Sequence, residues 1–498
     1  MARDFNSISV EGDLPGVSGL PYLAPNQTNT AYNGKDIVTV DEAAANLNRT
    51  GDIWAVGPNG QITYTFLDKD PSGLYNSPKY ANIVGDYTAG FEPFTAAQRE
   101  ATRDSIQLWD DLIAPTFVEK NGRGAADISF MNTNTGPAQA SAYTPFYQGG
   151  HGRDQKIQGD VYVNQDQGDN FDLHYGGYGQ TALTHEIGHA IGLSHIGDYN
   201  FSDDNNGDGV PDPITYAGDA YIFQDSYQYS IMSYFTHGNT GAKGYVNWTT
   251  GGYYQTPQTP MVHDIAAVQA MYGADLTTRT GDTTYGFNSN AGHDVYDFEQ
   301  NINPFLSIYD AGGHDTLDLS GWTHPSTLDL RPGAFSSGFG EEANAAELNA
   351  MYGLNPAVFT QTVWTAIFEG RTSNPGFLSE NIGIAYNTVI EDGITGSGND
   401  RLIGNDVANR LDGGAGSDLY TGGAGADTFV FGHTGHYDYI TDFKTGEDKI
   451  DLTGVLGENG QFNVVGNQIF GDANGDGGVD FIVVSQADAI AMTDIIFV

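Results

Sequence analysis

The spacing of apolar residues divides the chain into two unlike parts, and the change falls near Gly273. Before it, stretches with a helical period alternate with stretches in which every second residue is apolar. The predicted helices span 38–47, 95–112, 181–191 and 261–272, and the predicted strands span 61–67, 126–131, 140–144 and 160–164. Helices and strands that share one core predict an α+β domain. We expect the strand at 140–144 to form the open edge of the sheet in this domain, where an extended peptide could pair with it.

A nine-residue repeat takes over from Thr395. Four tandem units follow the pattern G-G-x-G-x-D-x-U-x, in which U is a large apolar residue. That position holds Leu402, Leu411, Tyr420 and Phe429 in turn. A flexible linker rich in glycine and aspartate would not place an apolar residue at every ninth position. The repeat therefore predicts an all-β domain, a parallel β-roll of the RTX type, with these residues between two sheets.

The turns of the repeat offer the oxygen ligands that Ca²⁺ prefers. Glycines let backbone carbonyls point inward, and the sixth position of each unit supplies a carboxylate, except that Asn409 is a weaker ligand. The predicted calcium ligands of the roll are Gly396, Gly398, Asp400, Asn409, Gly414, Gly416, Asp418, Gly423, Gly425 and Asp427.

The composition agrees with a calcium-rich setting. The chain has 63 acidic and 19 basic residues and a formal net charge of −44, which argues against nucleic-acid binding because that needs a basic footprint. It has no cysteine, so bound calcium would replace disulfides as the brace of an exported protein. The sequence pattern predicts neither an N-terminal signal peptide nor an apolar run that could span a membrane. The chain is expected to be cytosolic, or exported by a route that does not read its N-terminus.

The most specific chemical signal is the motif H-E-x-x-H-x-x-G-x-x-H between His185 and His195. On a helix, His185 and His189 lie on one face and could hold one metal ion together. Gly192 can take the left-handed conformation that ends a helix, which would bring His195 back as a third ligand. Three histidines leave one position of a tetrahedral Zn²⁺ open for water, as in catalytic sites. The carboxylate of Glu186 could reach that water and act as its base.

A second segment, from Ser230 to Phe235, gives the motif a family context. The zinc motif followed by a methionine turn is the metzincin pattern. A tyrosine two positions after the methionine resembles the serralysin and astacin branches. The resemblance implies that Met232 forms an apolar floor beneath the histidines. It also implies that Tyr234 is a fifth, movable zinc ligand that stabilises the transition state.

The resemblance to serralysins covers nearly the whole chain. It implies a zincin-like catalytic domain over 37–275, preceded by an arm or short pro-segment over 1–36. A β-roll and β-sandwich domain would occupy 276–498. Residues 341–380 fit the family poorly and look like an insertion, either a lid on the roll or an attachment surface.

Serralysins also share calcium sites near the domain boundary. By resemblance, Arg279, Gly281, Thr283 and Gly312 act through carbonyls and Asp310 and Asp315 through carboxylates, and Glu391 is a further ligand. A separate loop containing Asp204, Asn206, Asp208 and Asp212 has the rhythm of a calcium loop. Whether it binds calcium or is a polar surface loop stays open.

The resemblance further implies a secreted, extracellular bacterial zinc endopeptidase that is stabilised by calcium and acts on extracellular proteins. The acidic and apolar residues from Asp494 to Val498 resemble the C-terminal signal of type I export. The implied partners are polypeptide substrates, the type I export machinery and a proteinaceous inhibitor, and the implied state is a monomer. Two alternatives remain. The chain could be a calcium-dependent structural or surface-attachment RTX protein with a vestigial protease domain, or a zymogen that needs N-terminal trimming.

Overall fold

The computed structural model describes eight main ranges of the chain, with some shorter pieces of one to four residues between them: 34–71, 90–121, 126–135, 139–146, 157–200, 212–242, 256–338 and 378–497. Three sequence predictions therefore lie wholly or largely outside the described residues. They are the arm at 1–36, the insertion at 341–380, and the loop residues Asp204, Asn206 and Asp208.

The first half combines helices with a mostly parallel sheet. Its helices are α1 (Val40–Leu47), α2 (Ala96–Asp110), α3 (Tyr178–Ala190), α4 (Tyr216–Asp219) and α5 (Val262–Tyr272). Its strands are β1 (Ala31–Tyr32), β2 (Lys35–Asp36), β3 (Gln61–Phe66), β4 (Thr116–Glu119), β5 (Ile128–Thr133), β6 (Ala140–Ala142), β7 (Asp160–Asn164), β8 (Val246–Asn247) and β9 (Gly252–Tyr253).

Five of these strands form one sheet in the order β4-β3-β5-β7-β6. All its neighbours are parallel except β6, which pairs antiparallel with β7 at the edge, as predicted. Helix α2 packs against α3, and α1 against α5. Ile62, Phe130 and Val161 of the sheet share a fully buried core with Trp109 and Ile187 of the helices. This core fixes α3, the helix that carries the candidate site.

The helix ends follow local sequence rules. Thr95 caps α2 through a capping box, in which its hydroxyl accepts from the Gln98 N–H while the Gln98 side chain accepts from the Thr95 N–H. Helix α5 ends at Gly273, whose φ of 82° is in the region that favours glycine. Helix α3 begins at Tyr178, three residues before the predicted start. The start was misplaced because Gly177, the residue before the helix, has no side chain that could cap it and mark the position in the sequence.

The second half consists mainly of short strands. They are β10 (Thr284–Gly286), β11 (Leu306–Ile308), β12 (Thr316–Asp318), β13 (Thr327–Asp329), β14 (Phe335–Ser336), β15 (Ile382–Ile384), β16 (Asp392–Ile394), β17 (Arg401–Ile403), β18 (Arg410–Asp412), β19 (Leu419–Thr421), β20 (Thr428–Val430), β21 (Tyr437–Ile440), β22 (Lys449–Asp451), β23 (Gln461–Val465), β24 (Gln468–Asp472), β25 (Phe481–Ser485) and β26 (Ile495–Ile496).

Successive strands of the repeat alternate between two seven-stranded sheets. One has the order β10-β12-β16-β18-β20-β22-β26 and is parallel throughout. The other has the order β13-β17-β19-β21-β25-β24-β23, and its last strands form antiparallel hairpins. Each nine-residue unit therefore makes half a coil, and a full coil of 18 residues pairs Leu411 with Phe429 and Leu402 with Tyr420.

The apolar residues of the repeat lie between these sheets, as predicted. Leu402, Leu411, Tyr420 and Phe429 are all buried in one core. The fold is thus a mixed α/β region followed by a parallel β-sheet domain. The two cores meet, since Tyr309 and Ala385 pack into the first and Leu108 into the second. No helix within the described ranges combines the length and apolarity needed to cross a bilayer.

Candidate metal centre

Helix α3 and the turn after it bring the three predicted histidines together. The nearest ligand nitrogens of His185, His189 and His195 all lie within 4.8 Å of one another. Among the described residues, this is the one group of three or more His, Cys, Asp or Glu side chains that meets this criterion.

Backbone carbonyls fix the orientation of all three rings. The pairs are His185 Nδ1 with Ile231 O at 2.8 Å, His189 Nδ1 with Leu193 O at 2.7 Å, and His195 Nδ1 with Tyr199 O at 3.0 Å. A carbonyl only accepts, so each Nδ1 carries the proton and each Nε2 presents a lone pair. His189 Nε2 and His195 Nε2 lie 3.1 Å apart. Lone pairs that converge in this way repel unless a cation lies between them, so the arrangement fits a metal ion.

The environment keeps the imidazoles neutral. Burial lowers the pKa of His185 to about 3 and that of His189 to about 4. Burial, followed by the two neighbouring histidines, lowers the pKa of His195 as well. Neutral imidazole is the form that binds a metal.

Glu186 is buried beside the first histidine, with 7% of its surface exposed. Its Oε2 makes no hydrogen bond to any of the described residues. Burial raises the pKa of this carboxyl to about 8. A buried carboxyl with an unused oxygen at a metal centre is suited to accept and return a proton.

The turn that carries the third histidine depends on a glycine. Gly192 has a φ of 113°, and a Cβ added there would lie 2.2 Å from Asp52 O. The segment after α1 holds this turn by its carbonyls. Asn48 Nδ2 donates to Gly192 O at 2.9 Å, and Arg49 donates to the carbonyls of His195 and Gly197. The glycine was predicted, whereas the contribution of the segment after α1 was not.

Met232, which the resemblance predicts to form a floor beneath the histidines, lies against helix α3. A Cβ added to Gly188 would lie 2.6 Å from Met232 Sδ, so the glycine in the motif lets the methionine approach. The turn is anchored by Asp264 of α5, whose carboxylate accepts from Ser230 Oγ and from Ile231 N, each at 2.6 Å. Asp264 gave no signal in the sequence because it lies 34 residues from Ser230 and 33 from Ile231.

Two tyrosines complete the centre. The ring of Tyr234 lies 4.3 Å from that of His195 and 5.9 Å from that of His185, centroid to centroid. Tyr199, which was not predicted, stacks on His195 at 5.4 Å with an interplanar angle of 7°. Its hydroxyl donates to Asp225, a fully buried carboxylate.

The predicted boundary ligands also lie together. Asp315 Oδ1 accepts from Thr283 N at 2.8 Å, and Glu391 Oε2 accepts from Asp315 N at 2.8 Å. Burial, then the charges of Asp310 and Glu391, raise the pKa of Asp315 to about 7. Gly281 O accepts from the Thr283 hydroxyl at 2.9 Å.

The remaining boundary residues take other roles as well. Asp310 Oδ1 accepts from Gly312 N at 2.8 Å. The Arg279 side chain reaches back to the first half, where it forms an ion pair with Asp111. It also donates to Tyr309 O of the second half at 2.9 Å. Asp212, the described residue of the 204–212 loop, is half-buried.

The sixth-position side chains of the repeat, together with Asp438 and Asp448 beyond it, form two hydrogen-bonded ladders. Each acceptor oxygen takes the backbone N–H of the equivalent residue in the preceding coil. The bonds run from Asp400 N to Asp418 Oδ1, from Asp418 N to Asp438 Oδ1, from Asn409 N to Asp427 Oδ1 and from Asp427 N to Asp448 Oδ1. The predicted ligands are thus aligned in rows along the roll.

Asn409 differs from its neighbours in a way the sequence could not show. Its Nδ2 donates to Glu391 O at 2.9 Å, a bond that an aspartate could not make. The predicted glycines lie where coils stack closely. A Cβ on Gly414 would lie 2.0 Å from Gly396 O, and one on Gly416 would lie 1.6 Å from Gly398 O. Gly423 and Gly425 stack in the same way on the coil before them.

Sequence reasoning missed two members of the ladders, Asp438 and Asp448. Neither belongs to a glycine repeat, and they lie 20 and 21 residues after their partners rather than 18. A signal was nevertheless present. Each stands two positions before a buried apolar residue, Ile440 or Ile450, as the repeat aspartates do.

Comparison with known proteins gives consistent matches. The profile of the family described as "Peptidase M10 serralysin C terminal" matches residues 274–350 and 352–494. "Metallopeptidase AprA" of Pseudomonas marginalis is 34% identical over 457 residues, which cover 88% of this chain and 83% of that protein. "Serralysin C" of Dickeya chrysanthemi is 36% identical over 466 residues, with 88% and 82% covered. "Serralysin G" of the same organism is 33% identical over 448 residues, with 85% and 80% covered.

A mixed α/β region with a three-histidine centre, joined to a parallel β-sheet domain, places the protein in the metallopeptidase class to which these relatives belong. The chain belongs to the serralysin family.

Proposed function

We propose that this protein is a secreted zinc-dependent endopeptidase that hydrolyses peptide bonds of extracellular proteins. The observation that carries the proposal is the convergence of three neutral histidine Nε2 atoms beside Glu186, whose Oε2 is buried and makes no hydrogen bond to the described residues. The names of the relatives, which include a metallopeptidase and several serralysins, support it.

In this proposal His185, His189 and His195 hold the zinc ion, and their carbonyl partners keep the rings aimed at it. Zinc, when bound, supplies Lewis acidity that polarises water and the substrate carbonyl. Glu186 takes the proton of the attacking water and later gives it to the departing amine. Tyr234, whose ring lies beside His195, donates to the carbonyl oxygen as negative charge develops on it. Met232 supports the histidines from below.

The edge strand β6 offers a place for the substrate backbone. It pairs with β7 on one side, and the sheet order shows no further strand on the other among the described residues. An extended polypeptide could add to this edge by main-chain hydrogen bonds. Zincin-like catalytic and roll domains over 37–275 and 276–498 are part of the proposal. Type I export, a proteinaceous inhibitor and a monomeric state remain predictions from the resemblance.

We further propose that Ca²⁺ stabilises the roll. Its ligands would be the aligned carboxylates and turn carbonyls of the two ladders, and the boundary cluster around Asp315. The support is electrostatic: buried carboxylates with raised pKa values, among them Asp418 at about 9, line up in rows. Calcium bound among them would offset their mutual repulsion.

The test compares the wild type with Glu186→Gln after N-terminal trimming, with Zn²⁺ and Ca²⁺ present. We expect the variant to retain zinc and to lose about 10²- to 10⁴-fold in kcat on casein-derived peptides. Glu299→Gln, a change at an exposed glutamate, is the matched control and should cleave like the wild type. Wild-type protein that binds zinc yet is as inert as the Glu186 variant would overturn the proposal. It would instead favour the structural or attachment protein with a vestigial site.

A further inference from the structure

Two parts of the metal centre are joined through one buried carboxylate oxygen. Asp225 is fully buried, and its Oδ1 accepts from Tyr199 OH at 2.9 Å and from Ser233 Oγ at 2.8 Å. The two donors belong to different segments, one following the third histidine and the other within the methionine turn.

The first arm leads to the third histidine. Tyr199 contacts His195 twice, because its carbonyl accepts from His195 Nδ1 at 3.0 Å and its ring stacks on the imidazole at 5.4 Å. The hydroxyl of Tyr199 is its far end, and the bond to Asp225 fixes it. The position of the His195 ring therefore depends on the Asp225 carboxylate through Tyr199.

The second arm leads to the tyrosine of the turn. Ser233 stands between Met232 and Tyr234, and its hydroxyl donates to Asp225 while it accepts from Phe235 N at 3.0 Å. The residues on both sides of Tyr234 are thus held by one hydroxyl. Tyr234 in turn lies 5.3 Å from the Tyr199 ring and 4.3 Å from the His195 ring.

We propose that Asp225 is a positioning residue that sets the third histidine and Tyr234 relative to each other. The inference rests on the proposed function, since it assigns Tyr234 a part in peptide hydrolysis. One carboxylate oxygen shared by two hydroxyls gives two charge-assisted bonds from a common origin. Each arm therefore ties one part of the centre, the third histidine or the turn that carries Tyr234, to the same oxygen.

Asp264 shows what a second buried carboxylate at the same turn does differently. It accepts from Ser230 Oγ, Ile231 N and Met261 N, so its bonds join the turn to α5. Asp225 instead joins the turn to the segment that holds the third histidine. The two carboxylates therefore have separable effects.

The experiment removes the arms one at a time in the full-length protein with Ca²⁺ present. Tyr199→Phe keeps the stacked ring but loses the first arm. Its dissociation constant for Zn²⁺, measured by competition with a chelator, should rise about 10-fold, a larger change than that in kcat at saturating Zn²⁺. Ser233→Ala loses the second arm. Its kcat on a casein-derived peptide should fall about 10-fold with the zinc affinity retained.

Asp225→Ala removes both arms and should show both losses, each about 10- to 100-fold. The visible absorption spectrum of the Co²⁺-substituted protein should change in Asp225→Ala and Tyr199→Phe, because the third histidine is displaced. Asp225→Asn retains an acceptor oxygen and should lie closer to the wild type than the alanine variant in every readout. The asparagine and single-arm variants keep the test open should Asp225→Ala fail to fold.

The matched control is Asp127→Ala, because Asp127 is also buried and its Oδ2 accepts two bonds, from Thr63 N and Thr63 Oγ1. It should lower the melting temperature and leave zinc affinity and kcat unchanged. Asp225 variants with wild-type zinc affinity, spectrum and kcat would overturn this inference and leave the protease proposal intact. A wild type that cleaves no peptide would instead sink the protease proposal, while the zinc and cobalt measurements would still test the first arm.

Discussion

The metal centre and the β-roll gather buried polar groups in opposite ways. At the centre, three imidazoles are held by carbonyls of their own half of the molecule, and burial keeps them uncharged. In the roll, each carboxylate is held by the backbone N–H of the coil before it, so carboxylates accumulate in rows. A centre of neutral groups can be built by the protein alone, whereas rows of carboxylates need cations. The fold of the second half should therefore depend on metal far more than that of the first.

The largest expected effect comes from removing calcium. One site saturated at 1,000 times its dissociation constant contributes about 4 kcal/mol, and a domain has only about 5–15 kcal/mol of stability. Several vacant sites would therefore unfold the roll. At about pH 8, where the roll carboxylates lose their protons, we expect a calcium chelator to abolish the far-UV circular dichroism of the roll. Near-UV signals of the first half, such as those of the buried Trp54 and Trp109, should persist.

Restoring Ca²⁺, but not Zn²⁺ alone, should recover the spectrum of the roll. A circular dichroism spectrum that is indifferent to the chelator would refute the calcium dependence. If the chelator removed the circular dichroism signals of both halves together, the halves would fold as one unit. The contacts between the two cores, where Tyr309 packs into the first and Leu108 into the second, are consistent with that alternative.

A matched pair of core substitutions gives the next largest effect. Phe130 in the sheet of the first half and Phe429 in the roll are both fully buried. Replacing either with alanine should cost about 3–5 kcal/mol through lost burial and an unfilled cavity. Calorimetry with Ca²⁺ present should show Phe429→Ala lowering a calcium-sensitive transition and Phe130→Ala lowering a separate one. A single transition that both variants lower equally would contradict independent halves.

The smallest expected effect is the response of the calcium-free roll to pH. Burial, then neighbouring carboxylates, raise the pKa of Asp418 to about 9 and that of Asp427 to about 7, and burial raises that of Asp438 to about 7. In the unfolded chain the pKa of an aspartate is about 3.9. The folded roll thus holds protons that the unfolded chain releases, so this contribution to stability is present near pH 4 and is lost as the pH rises towards about 9.

In urea titrations with a chelator, the midpoint should therefore fall between about pH 5 and pH 8. With saturating Ca²⁺ the slope should reverse, because the cation binds the deprotonated carboxylates. A midpoint that rises with pH in the chelator would show that the ladder carboxylates are ionised without calcium.

Much of the fold was predictable because its signals are local. The Thr95 capping box, the stop at Gly273 and the nine-residue spacing of Leu402 to Phe429 each specify a structure within a few residues. The strand predicted over 126–131 was displaced to Ile128–Thr133, and β4 was missed. Both errors have one cause: short strands are placed by their partners in the sheet rather than by their own pattern.

The residues of the site likewise divide into those with a local sequence signal and those without one. The three histidines, Glu186, Met232 and Tyr234 lie in two compact motifs and could be proposed from sequence. Asp225, Asp264 and Arg49 could not, because each acts on a segment that is near only in the folded chain. Asp438 and Asp448 are an intermediate case. They lack the glycines of the repeat, but each stands two positions before a buried apolar residue, and that part of the pattern is visible in the sequence.

The alternation of units between two sheets has a consequence for how this chain can change in length. Deleting nine residues of the repeat would move every later strand to the opposite sheet and carry the β23–β25 hairpins to the wrong face. Deleting 18 residues would remove one whole coil. Every later strand would stay in its own sheet, and core pairs such as Leu411 with Phe429 would be replaced by equivalent pairs from the neighbouring coils. The roll can therefore lengthen or shorten only by whole coils. Insertions and deletions that preserve the fold should contain an even number of nine-residue repeats.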